Sequence, residues 1–146
     1  PWLQGLLRAP VVGPALFNLV ASKPSLRRFN ADHSYDDPAA PSAEWTDYEW
    51  RTAHVENARF APAAFVSGFL TPDVDLPAAL AALDVPPTIV WGREATVTPL
   101  ADGRELAAAA DARLVVFDRA KLLPHVEHPE RFVETVEETL VAGATA

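Results

Sequence analysis

Two short apolar runs with a helical segment between them constrain the fold of this chain more than any other feature. Residues 87–91 read PTIVW and residues 113–117 read RLVVF. Both runs contain β-branched residues and are bounded by turn-forming residues, which predicts two buried strands. Thr98-Pro99 supplies a cap and an early proline, so a helix is predicted from there to about Ala110. A strand, a helix and a strand in one sheet predict a parallel pair with a right-handed crossover.

The sequence on either side of this unit is predicted to be mainly helical. Before the strands, helical spacing and capping residues predict short helices at 14–22, 25–29, 42–57, 62–70 and after Asp75. After the second strand, a loop leads to a helix that begins at Pro129. Its inner face is expected to carry Phe132, Val133, Val136 and Leu140. The chain is therefore predicted to be an α/β protein, with a helical cap or lid region at 1–74 and a β-α-β-α core region at 75–146.

Composition limits the partners and the chemistry. The chain has 146 residues and a formal net charge of −8, which argues against binding nucleic acid by neutralising phosphates. It contains no cysteine, which excludes disulfides, a thiol nucleophile and zinc sites built from cysteine. The apolar first 20 residues are interrupted by Arg8, Pro10, Gly13 and Pro14, and predict neither a membrane span nor a signal peptide. We expect a cytoplasmic protein without a cofactor.

The predicted sheet is too small to be stable alone. Two parallel strands need further strands beside them, and these are expected to precede Pro1. The chain also contains no methionine, so it is expected to be a fragment. A half-sheet exposes an edge and an apolar face, which predicts association with a second copy or with the missing N-terminal half.

Ligands of open α/β sheets bind outside the carboxyl ends of the strands. Two loops leave those ends, at 92–98 and 118–128. An acid in the first loop and a histidine in the second would form a pair that activates a nucleophile, and Glu94 with His125 or His128 supplies the residue types. The spacing of His125, Glu127 and His128 does not match the helical H-E-x-x-H signature, so no metal site is predicted.

Both loops resemble the C-terminal part of the α/β-hydrolase fold family. The family pattern in the first loop is W-G-x-x-D-x-x-x-P, and in the second it is G-H-x-x-H-x-E-x-P-E. The residues that match these motifs are Trp91, Gly92, Pro99, Pro124, His125, Glu127, Pro129 and Glu130. Residues 1–70 resemble the helical cap that such proteins insert over the site.

The resemblance places the catalytic acid at Ala95 and the catalytic histidine at Leu122. Alanine cannot accept a hydrogen bond from an imidazole, and leucine cannot take a proton from a serine. The G-x-S-x-G nucleophile elbow is absent, because no two of the six glycines stand four apart. Glu94 and His125 are the candidate substitutes. Glu94 is alternatively a solvated loop carboxylate, and His125 a packing residue that bonds the loop backbone.

The sequence leaves two functional interpretations open. The first is a hydrolase-family protein that acts on a small apolar ester-like substrate through a nucleophile located upstream. The second is a catalytically degenerate protein that serves as a small-molecule-binding or interaction module. In both, an apolar lid over a small ligand is predicted from cap aromatics, although such residues are also typical of a core. They are Trp45, Tyr48, Trp50, Phe65 and Phe69.

Overall fold

The computed structural model describes Gly5 and residues 9–66 and 73–144, without the side chains of residues 63, 65, 66 and 142–144. The chain divides into two compact units. Unit 1 comprises Pro1–Asn30 and Pro41–Asp73, and unit 2 comprises Ala31–Ala40 and Val74–Ala146. The predicted boundary near residue 74 stays a prediction.

The described part of unit 1 is built from short helices. They are α1 (Val12–Val20), α2 (Lys23–Phe29), α3 (Ala43–Ala53) and α4 (Phe60–Val66). A π-helical turn, Asn30–Ser34, follows α2. The predicted cap of α3 is confirmed, because the Ser42 hydroxyl accepts a hydrogen bond from the Trp45 amide at 3.0 Å.

Helix α3 is shorter than its sequence predicts. It ends at Ala53 instead of near Asn57, since His54 leaves the helical conformation with φ −111° and Asn57 has a φ of 64°. The left-handed conformation is one that asparagine tolerates better than most residues. The buried residue of this helix is Thr46, whose hydroxyl donates to the Ser42 carbonyl at 3.1 Å.

Unit 2 alternates strands and helices. Its elements in chain order are α5 (Leu76–Ala81), β1 (Thr88–Gly92), α6 (Leu100–Ala109), β2 (Arg113–Phe117), α7 (Pro124–Glu127) and α8 (Pro129–Ala144). Asp75 caps α5 by accepting from the Ala78 amide at 3.1 Å. The short helix α7, inside the loop after β2, was not predicted.

The two strands are parallel neighbours, as predicted. Their register runs from Thr88 opposite Arg113 to Gly92 opposite Phe117. Phe117 is fully buried beneath the sheet end. Helix α6 packs closely on β1, because a Cβ on Gly103 would lie 2.6 Å from the Trp91 ring.

The prediction for the inner face of α8 is wrong at three of its four positions. Phe132 is half-buried, whereas Val133, Val136 and Leu140 are exposed. The buried residue is Thr135, whose hydroxyl donates to the Arg131 carbonyl at 2.8 Å. The face that packs runs through Phe132, Thr135 and Thr139, and the apolar stripe lies beside it, so apolar periodicity alone selected the wrong face.

Candidate functional site

The loops that leave β1 and β2 contact each other through their backbones. The Arg93 amide donates to the Phe117 carbonyl at 2.9 Å, and the Glu94 amide donates to the Ala120 carbonyl at 3.0 Å. Gly92 permits this approach, because a Cβ there would lie 2.0 Å from the Lys121 oxygen. The sequence therefore brings the two candidate loops to one place, as expected for neighbouring parallel strands.

Glu94, the candidate acid, is half-buried and holds the second loop. Its Oε2 accepts a hydrogen bond from the Ala120 amide at 3.0 Å. Together with the backbone bond between the same two residues, this contact fixes the end of β1 against the loop after β2. The Glu94 carboxylate thus serves as a hydrogen-bond acceptor that joins the two loops.

Glu127 joins two segments that lie far apart in the sequence. Its Oε1 accepts from the Asp36 amide at 2.6 Å, and its Oε2 accepts from the Lys121 amide at 2.9 Å. Hydrogen bonds to a carboxylate are stronger than those between neutral groups. Glu127 was assigned from the sequence only to a motif match. Its bridging role depends on Asp36, which no local pattern connects to it.

The segment Ala31–Ala40, which contains Asp36, makes further contacts with the loop after β2. The Lys121 amine donates to the carbonyls of Ala31 at 3.1 Å and Asp32 at 3.3 Å. The Leu122 amide donates to the Ser34 carbonyl at 3.2 Å. These contacts hold the loop backbone at the position where the resemblance implies a catalytic histidine.

Charged groups cover the rim of this site. Arg93 forms an ion pair with Asp118, and hydrogen bonding to Arg93 lowers the pKa of Asp118 while the same contact raises the pKa of Arg93. Arg131 lies over the Phe117 ring, 4.2 Å from its centre, and donates to the Val116 carbonyl at 3.0 Å. These contacts stabilise the strand ends, and they engage the charges of Arg93, Asp118 and Arg131 outside the interior of the site.

A cleft of about 160 Å³ lies at the carboxyl ends of the strands, and both Ala95 and Leu122 line it. Ala95 is 7% exposed. The other lining residues include Trp91, Thr98 and Lys121, and among the described residues no histidine or carboxylate lines the cleft. The structure therefore brings together the two positions where the resemblance implies an acid and a histidine, and it fills both with aliphatic side chains.

The histidines of this loop contact different partners. His125 is exposed, and its ring centre lies 5.7 Å from that of Phe132. His128 donates from Nε2 to the Arg119 carbonyl at 3.0 Å, since a carbonyl can only accept. Among the residues that the structure describes, no hydrogen bond joins His125 to Glu94. Within the same ranges, no group of three or more histidine and acidic side chains could hold a metal ion.

The predicted ligand-binding aromatics lie in unit 1. The Trp45 and Tyr48 rings are 5.5 Å apart and are 39% and 58% exposed. The Trp50 ring lies 4.5 Å from that of His54. The Phe65 side chain and all of Phe69 lie outside the described residues, so the apolar lid stays a prediction.

Parallel strands with contacting loops at their carboxyl ends define an α/β protein with a cleft at that edge of its sheet. The model of the alpha/beta hydrolase family matches residues 1–135. Because this match covers most of the 146 residues, the chain belongs to the α/β-hydrolase family. The predicted family is thereby confirmed.

Comparison with curated proteins gives no significant match. Within the described ranges, every helix is too short or too polar to cross a membrane.

Proposed function

We propose that this α/β-hydrolase-family chain binds a small molecule and does not catalyse hydrolysis with the usual acid and histidine. The observation that carries this proposal is the shared cleft of Ala95 and Leu122. An acid must accept from the imidazole, and the imidazole must take a proton from the nucleophile. Neither aliphatic side chain can do either.

The substitutes available nearby do not form the required pair in this conformation. A general base must lie within about 2.6–3.2 Å of the group it deprotonates. His125 is exposed and contacts Phe132, and the Glu94 carboxylate accepts from the Ala120 amide. Catalysis through these two residues would require the loop after β2 to release its contact with Glu94. This favours binding over triad chemistry.

A second candidate is hydrolysis of a small apolar ester-like substrate with Glu94 and His125 as acid and base. Family membership supports it, as does the half-buried position of Glu94 beside the cleft end of β1. This candidate also needs a nucleophile elbow, and the 146 residues contain no G-x-S-x-G.

Hydrolysis of p-nitrophenyl acetate by the purified chain tests whether Glu94 and His125 hydrolyse an ester by themselves, without the upstream nucleophile that the second candidate otherwise needs. We expect the folded chain to be no faster than the urea-unfolded chain, because exposed amines and imidazoles react slowly with this ester in any protein. His125→Ala and the matched loop variant His128→Ala should each lower that slow rate by no more than the share of one imidazole. A rate well above the unfolded control, lost in His125→Ala and retained in His128→Ala, would establish the hydrolase instead.

We also propose that the chain associates with a second copy of itself. The support is the exposed apolar stripe of α8, formed by Val133, Val136 and Leu140. Contiguous exposed apolar surface on a helix is typical of an interaction site.

A further inference from the structure

Unit 1 contains a small polar cleft that has no part in the chemistry at the strand ends. Its polar lining residues are Asn18, His54, Asn57 and Arg59, and its volume is about 150 Å³. The part of unit 1 that the structure describes contributes no carboxylate to this lining. In a chain with a formal net charge of −8, this lining is positively charged because of Arg59. We call it the Arg59 cleft.

The Arg59 side chain lacks an acceptor in the part of the chain that the structure describes. Its Nε is buried and has no hydrogen-bond partner there. The ion pairs among the same residues leave Arg59 without a carboxylate. A buried donor without a protein partner loses its hydration and gains nothing in return, so it favours the entry of an acceptor, either water or an occupant of the cleft.

Two contacts hold the polar groups of the cleft in place. The guanidinium carbon of Arg59 lies 4.7 Å from the centre of the Phe60 ring. His54 donates from Nδ1 to the Trp50 carbonyl at 2.7 Å, which fixes the orientation of its ring. The cleft is therefore preorganised, and an occupant need not order these side chains.

An apolar groove of about 630 Å³ adjoins the Arg59 cleft. The two share four lining residues, Phe17, Ala53, Val55 and Ala58. The rest of the groove lining is apolar except for Ser25 and Thr52. Its volume falls in the range of about 300–1,000 Å³ that is usual for small-molecule sites.

We infer that unit 1 binds an aliphatic monocarboxylate, with its carboxylate at Arg59 and its hydrocarbon chain in the apolar groove. A guanidinium matches a carboxylate with two parallel N–H donors. The Arg59 cleft, with a volume of about 150 Å³, has room for a carboxylate and its first carbon. A free inorganic anion would leave the apolar groove without an occupant. The inference is independent of the cleft at Ala95 and of the function proposed for it.

Isothermal titration of the 146-residue chain with octanoate tests this inference, with octan-1-ol and butanoate as ligand controls. Octanoate should bind at least about tenfold more tightly than octan-1-ol, because the neutral headgroup loses a charge-assisted hydrogen bond. Affinity should rise by up to about fourfold per buried methylene, hence up to roughly 200-fold from butanoate to octanoate.

Variants identify the residue that recognises the carboxylate. Arg59→Gln should weaken octanoate binding at least about tenfold and leave octan-1-ol binding unchanged. Arg27→Gln makes the same charge change at an exposed position of α2 outside both cavities, and should alter octanoate binding less than about twofold. Circular dichroism verifies that both variants are folded.

The inference is overturned if octanoate does not bind, if octan-1-ol binds equally well, or if Arg59→Gln and Arg27→Gln behave alike. Should Arg59→Gln fail to fold, the comparison of octanoate with octan-1-ol on the unaltered chain still decides. The esterase assay responds to none of these outcomes, so the two proposals fail separately.

Discussion

Replacing Gly92 with alanine should destabilise unit 2 more than the same replacement at Gly103, where the nearest atom belongs to a side chain. The new Cβ would lie 2.0 Å from the Lys121 oxygen, 2.4 Å from the Ala120 oxygen and 2.7 Å from the Ala120 carbonyl carbon. Favourable contacts begin near 3.5 Å, so the loop after β2 must retreat by roughly 1–1.5 Å. All three neighbours are backbone atoms, and no rotamer change can relieve the clash.

The cost follows from what that movement breaks. The Glu94 amide bond to the Ala120 oxygen and the Ala120 amide bond to the Glu94 carboxylate, both 3.0 Å, would be lost or stretched. Each such bond contributes about 1 kcal/mol net. Overpacking adds about 1–3 kcal/mol. The expected loss is therefore about 3–5 kcal/mol of unfolding free energy, a large share of the stability of an ordinary domain.

Urea unfolding followed by far-UV circular dichroism measures this loss. With a slope of about 2 kcal/mol per molar urea, the midpoint should fall by at least about 1.5 M. Gly5→Ala is the matched control, because among the described residues a Cβ at that position meets no atom within 4 Å beyond its chain neighbours and its own helix backbone. The control should unfold at or slightly above the midpoint of the unaltered chain. A Gly92→Ala midpoint within about 0.5 M of the control would refute the close contact between the two loops.

Two further changes test the loop contacts and the association. Glu127→Gln replaces a carboxylate that accepts from the Asp36 and Lys121 amides, and should cost about 2–3 kcal/mol in the same urea assay because an amide nitrogen would face one of the two donors. Glu130→Gln, at an exposed position, serves as its control, and equal midpoints for the two variants would contradict the bridging role. Leu140→Glu adds a charge to the exposed apolar stripe of α8 and should shift the chain toward monomer in light scattering. Ala108→Glu, at an exposed position of α6, should not. A monomer before any substitution would exclude the proposed self-association.

The strands and the starts of α3, α5 and α8 could be predicted because their signals are local. The bounds of β2 are those of the run RLVVF, and Ser42 and Asp75 cap the helices that they precede. Each of these features depends on residues within a few positions of one another. Backbone sterics and capping hydrogen bonds decide them, and neither needs tertiary context.

The helix α8 shows where local signals fail. The directions of its apolar stripe and its packed face differ by about a quarter turn around the helix axis. Residues on either face recur at the spacing of a helix, so periodicity alone does not distinguish them. Arg131 contributes to this orientation by stacking on Phe117 and donating to the Val116 carbonyl, and Thr135, one turn later, is buried. Arg131 is a polar residue of the helix, so a search for apolar periodicity cannot find its contribution to the packing.

The hydrogen-bonded bridge made by Glu127 could not be predicted from the sequence either. Its partner Asp36 stands 91 residues away, and the segment 31–40 belongs to unit 2 although the residues on either side of it belong to unit 1. A sequence motif indicates that a glutamate is needed at this point of the loop. Only the structure gives the reason, which is that two backbone amides from distant segments require one acceptor.

Ala95 and Leu122 could be identified from motif spacing alone, and their shared cleft explains why they occur together. A carboxylate at position 95 would occupy a site that is only 7% exposed. Without an imidazole opposite it, that charge would depend on Lys121, whose amine already donates to the Ala31 and Asp32 carbonyls, and a poorly paired buried charge is costly. An imidazole at position 122 would likewise lose the group that orients it. With leucine at position 122, an acid at position 95 has no imidazole to bind, and with alanine at position 95, an imidazole at position 122 has no acid to orient it. We therefore expect the cleft with two aliphatic residues to be more stable than a cleft with one catalytic group alone.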